Sequence, residues 1–219
     1  MKLYSGPLSL FSRKVEIALA EKGISFDRVM VPFSQAEGYF PKHPDVLSAN
    51  PKGQVPVLED GDLTLFDSTV INEYLDEAYP DPPLLPTAPE PRARCRLLEL
   101  AADEILLPMI ARLMYRTEPA DPDPARQRER EADRERAESV IEAYYGTMEG
   151  HLADKEYLEG MFSVADISLF MDVLFAERLG GPPLDRHAGL TAWYARLCGR
   201  PSIAPIVAEI AEADRILSR

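Results

Sequence analysis

Two short runs in this chain place polar groups where a ligand could use them. Gln54-Val55-Pro56 puts a proline inside a strand, and Asp67-Ser68-Thr69 opens a helix. Proline cannot donate to a strand ladder, and an X-Pro bond adopts the cis form at small cost. A cis bend at Val55-Pro56 leaves the N–H and C=O of Val55 for something other than the sheet. The helix start adds the Ser68 hydroxyl and unpaired N–H groups, an anion site suited to a carboxylate. Both features together fit a ligand with a peptide-like middle and an α-amino-acid end. Asp67-Ser68-Thr69 by itself reads as an ordinary helix cap. Its position downstream of Gln54-Val55-Pro56 tips the reading toward ligand binding.

The elements that must hold these runs follow from periodicity. Residues 55–59 and Leu63–Phe66 read as strands joined by Asp60-Gly61, a hairpin turn signal. Ile71, Tyr74, Leu75 and Ala78 recur at i, i+3, i+4, i+7 in an amphipathic helix that Pro80 ends. Upstream, Lys2–Ser5 reads as a strand, and Gly6-Pro7 turns the chain. Ser9-Leu10-Phe11-Ser12 leads into a helix with Val15, Ala18 and Leu19 inward and Gly23 as its stop. Ser12 is its expected N-cap. Residues 26–31 are a second strand, which completes a βαβ unit. Residues 32–49 form a loop with a short helix packed by Phe33, Tyr39 and Phe40. The order is βαβ, irregular helix, ββα.

Residues 81–91, DPPLLPTAPEP, are a proline-dense linker and a domain boundary between 1–80 and 92–219. Beyond it the pattern is helical throughout. Residues 92–115 read as one long helix, with Pro108 as a kink point. Residues 121–138 carry mixed charges, a solvated face or a mobile connection. Ile141, Tyr144, Tyr145, Met148 and Leu152 recur at helical spacing as core. Ser163-Val164-Ala165-Asp166 is a capping box ahead of an apolar run, which marks a buried helix. Trp193 and Leu197 stand at i, i+4 in a last helix closed by Gly199 and Pro201.

Composition narrows the function. The chain has 219 residues and a net charge of −13. With a pI of about 4.7, it lacks the basic face that nucleic acid requires, and the same charge opposes anionic membranes. No apolar run approaches the ~20 residues of a membrane span, and the N-terminus carries no signal-peptide core. Cys95 and Cys198 have no metal-ligand spacing. They read as reduced, buried packing residues of a cytoplasmic protein with no metal site.

NP-x-GQVPVL at residues 50–58, with Asp67-Ser68 followed by Val70-Ile71, resembles the glutathione-binding half of the glutathione S-transferase family. The Ser163 to Asp166 box, with Gly160 just ahead, resembles the capping motif of the same family's helical domain. The resemblance implies a thioredoxin-like α/β domain followed by an all-α domain. It implies transfer of glutathione, as co-substrate, to a small hydrophobic electrophile in detoxification, by a homodimer. The residue before the cis proline, Val55, would then hold the cysteinyl backbone. Asp67-Ser68 would hold the γ-glutamyl end, where this chain has Asp and the family more usually has Glu or Gln. Lys52 is either a partner for the glycyl carboxylate or a solvated loop lysine, and Gln54 could hydrogen-bond the same ligand.

Such an enzyme must keep a thiol ionised near neutral pH, below its ordinary pKa of ~8.5. A hydroxyl donor near the positive end of a helix does this. Ser9 falls where the serine-type transferases of the theta and zeta kinds carry their active-site serine. Ser12, Tyr4 and Ser5 compete for the role. No cysteine occupies this loop, which argues against disulfide exchange. The electrophile is expected beside Leu8, Leu10, Phe11, Met109, Leu113 and Arg116.

Two other readings stay open. The opening LYSGPLSLFSRKVEIALAEKG also resembles the stringent starvation proteins, which implies an RNA polymerase partner without transferase activity. A glutathione-dependent isomerase or dehalogenase would use the same site. The paired Ser and Cys of the zeta-type isomerases are absent, because Leu10 and Phe11 stand there.

Overall fold

The sheet of the N-terminal region runs in the order β2-β1-β3-β4, with four strands among the described residues. A computed structural model describes residues 1–34, 36–117 and 120–217 of the chain. β1 (Lys2–Ser5) lies parallel to β2 (Asp27–Met30) and antiparallel to β3 (Val57–Asp60), which pairs antiparallel with β4 (Leu63–Phe66). A parallel neighbour needs a crossover, and α1 (Leu10–Glu21) supplies it. Side chains alternate across a pleated sheet, so each register row serves one face. Leu3 pairs with Leu58 and Leu58 with Leu65, while Tyr4 pairs with Val57 and Val57 with Phe66. Tyr4 and Val57 pack with Val31 and Val46, the last from α2 (Pro44–Ala49).

α1 and α3 (Ser68–Ala78) pack against each other. Val15, Ile17, Ala18, Leu19, Ile71 and Leu75 are fully buried on these two helices. Each large apolar side chain so buried contributes about 1.5–3 kcal/mol. β3 begins at Val57, two residues later than the apolar pattern predicts, since Pro56 has no N–H to give the ladder; the Val55-Pro56 bond is cis.

The chain divides into two compact units, Met1–Leu84 with Cys198–Arg219, and Leu85–Leu197. The sequence pattern allots residues 92–219 to one helical domain, whereas the last helix, α9 (Ala204–Leu217), groups with the first unit. Glu209 of α9 accepts from Arg13 at 2.8 Å and from Arg28 at 2.8 Å, and Arg200 donates to Glu21 at 2.6 and 2.8 Å.

In the second unit the expected long helix is broken. α4 (Pro89–Ala101) passes into a π turn (Ala102–Leu106), then α5 (Leu107–Ala111) and a 3-10 turn (Arg112–Thr117). Pro108 has no N–H to give the carbonyl four residues back, and the wider turn ahead of it absorbs that mismatch. α6 (Pro124–Leu152) takes in the charged run and the core positions of residues 140–152 in one helix. Ile141, Tyr145, Met148 and Leu152 are buried in it, while Tyr144 is half-buried. α7 (Val164–Arg178) is buried on nearly every side, as an apolar helix in a core must be. α8 (Ala188–Cys198) inserts Trp193 and Leu197.

Candidate functional site

The first unit carries a cleft of about 90 Å³ lined by Phe11, Asn50, Lys52, Gln54, Val55, Pro56, Phe66, Asp67 and Ser68. The two runs from which the sequence argument started therefore face one cleft. Val55 lies outside the ladder, which begins at Val57. Pro56 is buried beneath the cleft wall, and Lys52 and Gln54 are exposed at it.

A residue without an expected role holds this loop. Asn50 is only 3% exposed. Its amide donates to the Gln54 carbonyl at 2.7 Å, and its side-chain oxygen accepts from the Lys52 N–H at 2.9 Å. Gly53 turns the chain at φ +60, a left-handed conformation suited to glycine. The signal was available, since Asn bonding to backbone two residues on is ordinary turn chemistry.

On the opposite wall Asp67 is the N-cap of α3. Its carboxylate accepts from the Thr69 N–H at 3.1 Å and, more weakly, from the Val70 N–H at 3.5 Å. Its φ of 76 lies in the left-handed region, a strained place for a residue with a Cβ. Ser68, the first residue of α3, is 4% exposed yet lines the cleft. This corner offers a hydroxyl and the positive end of a helix, which suits a carboxylate.

The competing hydroxyls at the start of α1 separate clearly. Ser9, not Ser12, is the N-cap: its oxygen accepts from the Ser12 N–H at 3.3 Å and the Ser12 hydroxyl at 3.0 Å. Ser12 is fully buried, and Ser9 is half-buried. Ser5 is buried and donates to Glu16 at 2.5 Å. Tyr4 is 2% exposed and donates to Asp45 at 2.7 Å. Ser5 and Tyr4 are thus committed to other partners. Ser9 is not among the residues lining the cleft, whereas Phe11, two residues on, is.

The expected electrophile residues fall in different places. Leu8, Leu10 and Phe11 belong to the first unit, and Met109, Leu113 and Arg116 to the second. Leu8, Leu10 and Leu113 are buried in packed cores, and Met109 is half-buried. Arg116 is not a free cation. It donates to the carbonyls of Leu179 and Gly180 and pairs with Glu138 at 2.9 Å. Gly180 allows that approach, because a Cβ there would stand 2.8 Å from the guanidinium.

Neither cysteine is placed for chemistry. Cys95 is buried, and burial pushes its thiol up to about 11. Cys198 is half-buried rather than fully packed. Among the described residues no cluster of His, Cys, Asp or Glu could hold a metal ion. No helix among them is long and apolar enough to cross a membrane.

Comparison with known proteins fits this geometry. The glutathione S-transferase N-terminal domain matches residues 3–83, and the C-terminal domain of that family matches residues 131–196. Glutathione S-transferase 3 of Zea mays is 32% identical over 218 residues, spanning 96% of this chain and 94% of that protein. The chain belongs to the glutathione S-transferase family. A crystal structure of a family member from Rhodospirillum rubrum superposes with a TM-score of 0.78 at 28% identity, covering 94% of this chain and 90% of that one. A transferase bound with lactoylglutathione gives 0.77 at 26%, covering 95% and 98%. The sheet and helices of the first unit are thus the thioredoxin-like part of a glutathione S-transferase fold.

A second relationship covers less of the chain. A stringent starvation protein A homolog from Coxiella burnetii is 49% identical over 98 residues, 45% of this chain and 44% of that protein. The match spans about half the length of such relatives.

Proposed function

We propose that this glutathione S-transferase family member binds glutathione in the Val55–Ser68 cleft and transfers its sulfur to a small hydrophobic electrophile. The observation that carries the reading is one cleft lined by Val55, Asp67 and Ser68 together with Lys52 and Gln54. The fit is chemical. Val55 offers an N–H and a C=O to the cysteinyl backbone, and Ser68 with the α3 N–H groups takes the γ-glutamyl carboxylate. Asp67 faces the α-ammonium with its remaining acceptor capacity. Lys52 and Gln54 meet the glycyl end.

Ser9 donates a hydrogen bond to the sulfur, near the positive end of α1, and so favours thiolate over thiol. The thiol proton leaves to solvent. The sulfur then forms a bond to the electrophilic carbon, whose leaving group departs with the bonding electrons. Phe11 supplies apolar surface from the first unit. Catalysis by an isomerising or dehalogenating relative would use the same thiolate.

The protein works as a cytoplasmic homodimer in this reading, the first domain of one chain meeting the helical domain of the other. Phe66 and Val70 in the first unit and Leu97, Leu100 and Ile105 in the second are exposed large apolar residues that such pairing would cover. The similarity to stringent starvation protein A over 98 residues favours a second reading, association with RNA polymerase without transferase activity.

One column experiment separates the two. Retention on immobilised glutathione, elution by free glutathione, and conjugation of a chloronitrobenzene-type electrophile support the enzyme. No retention, with co-elution of RNA polymerase core from a reconstituted mixture, supports the second reading.

A further inference from the structure

The hydrogen-bond arrangement at the start of α1 gives Ser12 a role of its own. A serine oxygen has two acceptor sites and one proton. Both acceptor sites of Ser9 are filled by Ser12, one by its N–H at 3.3 Å and one by its hydroxyl at 3.0 Å. The backbone of Ser9 is held as well, its N–H on the Gly6 carbonyl at 3.2 Å and its C=O on the Arg13 N–H at 3.1 Å. The proton of the Ser9 hydroxyl is then the one polar group of that side chain left for a ligand. Ser12 itself is fully buried and out of reach of any ligand.

From this geometry we infer that Ser12 is a positioning residue that fixes Ser9 as a hydrogen-bond donor to the glutathione sulfur. The inference rests on the proposed role of Ser9. The Ser12 hydroxyl prevents the Ser9 oxygen from accepting elsewhere and prevents its proton from turning back into the helix start. A hydroxyl that accepts a hydrogen bond is also a stronger donor, because bonds in a chain polarise one another. The serines at 9 and 12 therefore act as a relay, with the buried member setting the direction of the exposed one.

The test compares Ser12→Thr with Ser12→Val, two side chains of one shape that differ in the hydroxyl. Ser9→Ala and Ser9→Ala/Ser12→Val complete the set. Each is measured for thermal midpoint, for glutathione affinity, and for the pKa of the bound thiol by ultraviolet absorbance of the thiolate. Ser12→Val is expected to raise the bound thiol pKa by about half a unit to one unit relative to Ser12→Thr, a three- to tenfold loss of thiolate at neutral pH. Affinity should be the same in the two. The double variant should titrate like Ser9→Ala alone, since a residue acting through Ser9 has nothing left to act on.

Equal titration of Ser12→Thr and Ser12→Val, with a clear shift in Ser9→Ala, overturns the inference and leaves the proposed function standing. A further rise in the double variant beyond Ser9→Ala shows Ser12 acting without Ser9 and also overturns it. An unchanged titration in Ser9→Ala removes the proposed role of Ser9 and the inference together.

Discussion

At the start of α7 the carboxylate of Asp166 is fully buried and has four donors. They are the Leu158 N–H at 3.0 Å, the Ser163 N–H at 3.1 Å, the Ser163 hydroxyl at 2.9 Å and Trp193 Nε1 at 2.9 Å. At the start of α3 the same two residue types are arranged in the opposite way. Asp67 is exposed at a strained φ, and Ser68, though nearly buried, lines a cleft. Burial pushes the Asp166 carboxyl up, against the pull of its four donors. The contrast shows that Ser and Asp at a helix start carry no function by type. What distinguishes a site from a cap is acceptor and donor capacity that the fold leaves unused.

The largest expected effect breaks the closed end. Asp166→Ala strands four buried donors, Trp193 Nε1 among them, and should cost about 3–5 kcal/mol, since each buried group left unsatisfied costs about 1–3 kcal/mol. Chemical denaturation followed by Trp193 fluorescence reads it. A loss under ~1 kcal/mol would mean that the box is replaceable.

Ser68→Ala probes the open end. It should weaken glutathione binding by ~1.5–3 kcal/mol, the worth of a hydrogen bond to a charged group, and barely move the thermal midpoint. Calorimetric titration beside a melt separates the two. Unchanged affinity with a large loss of stability would make Ser68 a cap like Ser163.

Asp67 tests the strain. Asp67→Ala should cost about 1 kcal/mol through the lost cap, plus whatever φ 76 demands of a Cβ. Asp67→Gly should be milder, because glycine adopts positive φ freely. The difference between the two midpoints isolates the backbone from the cap. Equal losses would show that the backbone relaxes.

Glu149 provides a third kind of helix start. Its carboxylate, on α6, accepts from the Gly189 and Leu190 N–H groups of α8 at 2.9 and 2.7 Å. These bonds hold its carboxyl below the ordinary range. A lowered native pKa means that the contribution is complete above the unfolded value of ~4.3 and fades as pH falls through the native value. Melts of the parent and Glu149→Gln should differ most near neutral pH and converge in acid. A gap that persists at the lowest pH would mean that the ionised carboxylate is not the source.

Much of the fold was legible because its signals are local. Val15, Ala18 and Leu19 repeat at helical spacing, Pro56 breaks a strand, and Ser163 and Asp166 sit three apart. The cleft wall at Val55, Asp67 and Ser68 was legible for the same reason. The start of α1 was missed by three residues because Ser9 and Ser12 are equally good caps by type, and only the turn at Gly6 chooses between them. The partners of Arg116 were not legible, since its acceptors at Leu179 and Gly180 lie 63 and 64 residues away. The placement of α9 was hidden likewise, with Glu209 pairing to a residue 196 positions earlier. Periodicity reports which face is apolar, and it carries no information about which distant element covers that face.

The grouping of α9 with the first unit bears on how the chain is made. Arg13 is 1% exposed and lies between Glu16 at 2.6 Å and Glu209 at 2.8 Å. During synthesis from the N-terminus, the first 84 residues emerge complete except for the segment that supplies Glu209. At ~5–20 residues per second, the residues up to Glu209 take on the order of ten seconds to follow. Through that interval the nascent first unit lacks the Glu209 partner of Arg13, and its closing step waits for α9. A fragment ending at the proline linker would stay in that waiting state, and excising the glutathione-binding region as a miniature would remove its clasp.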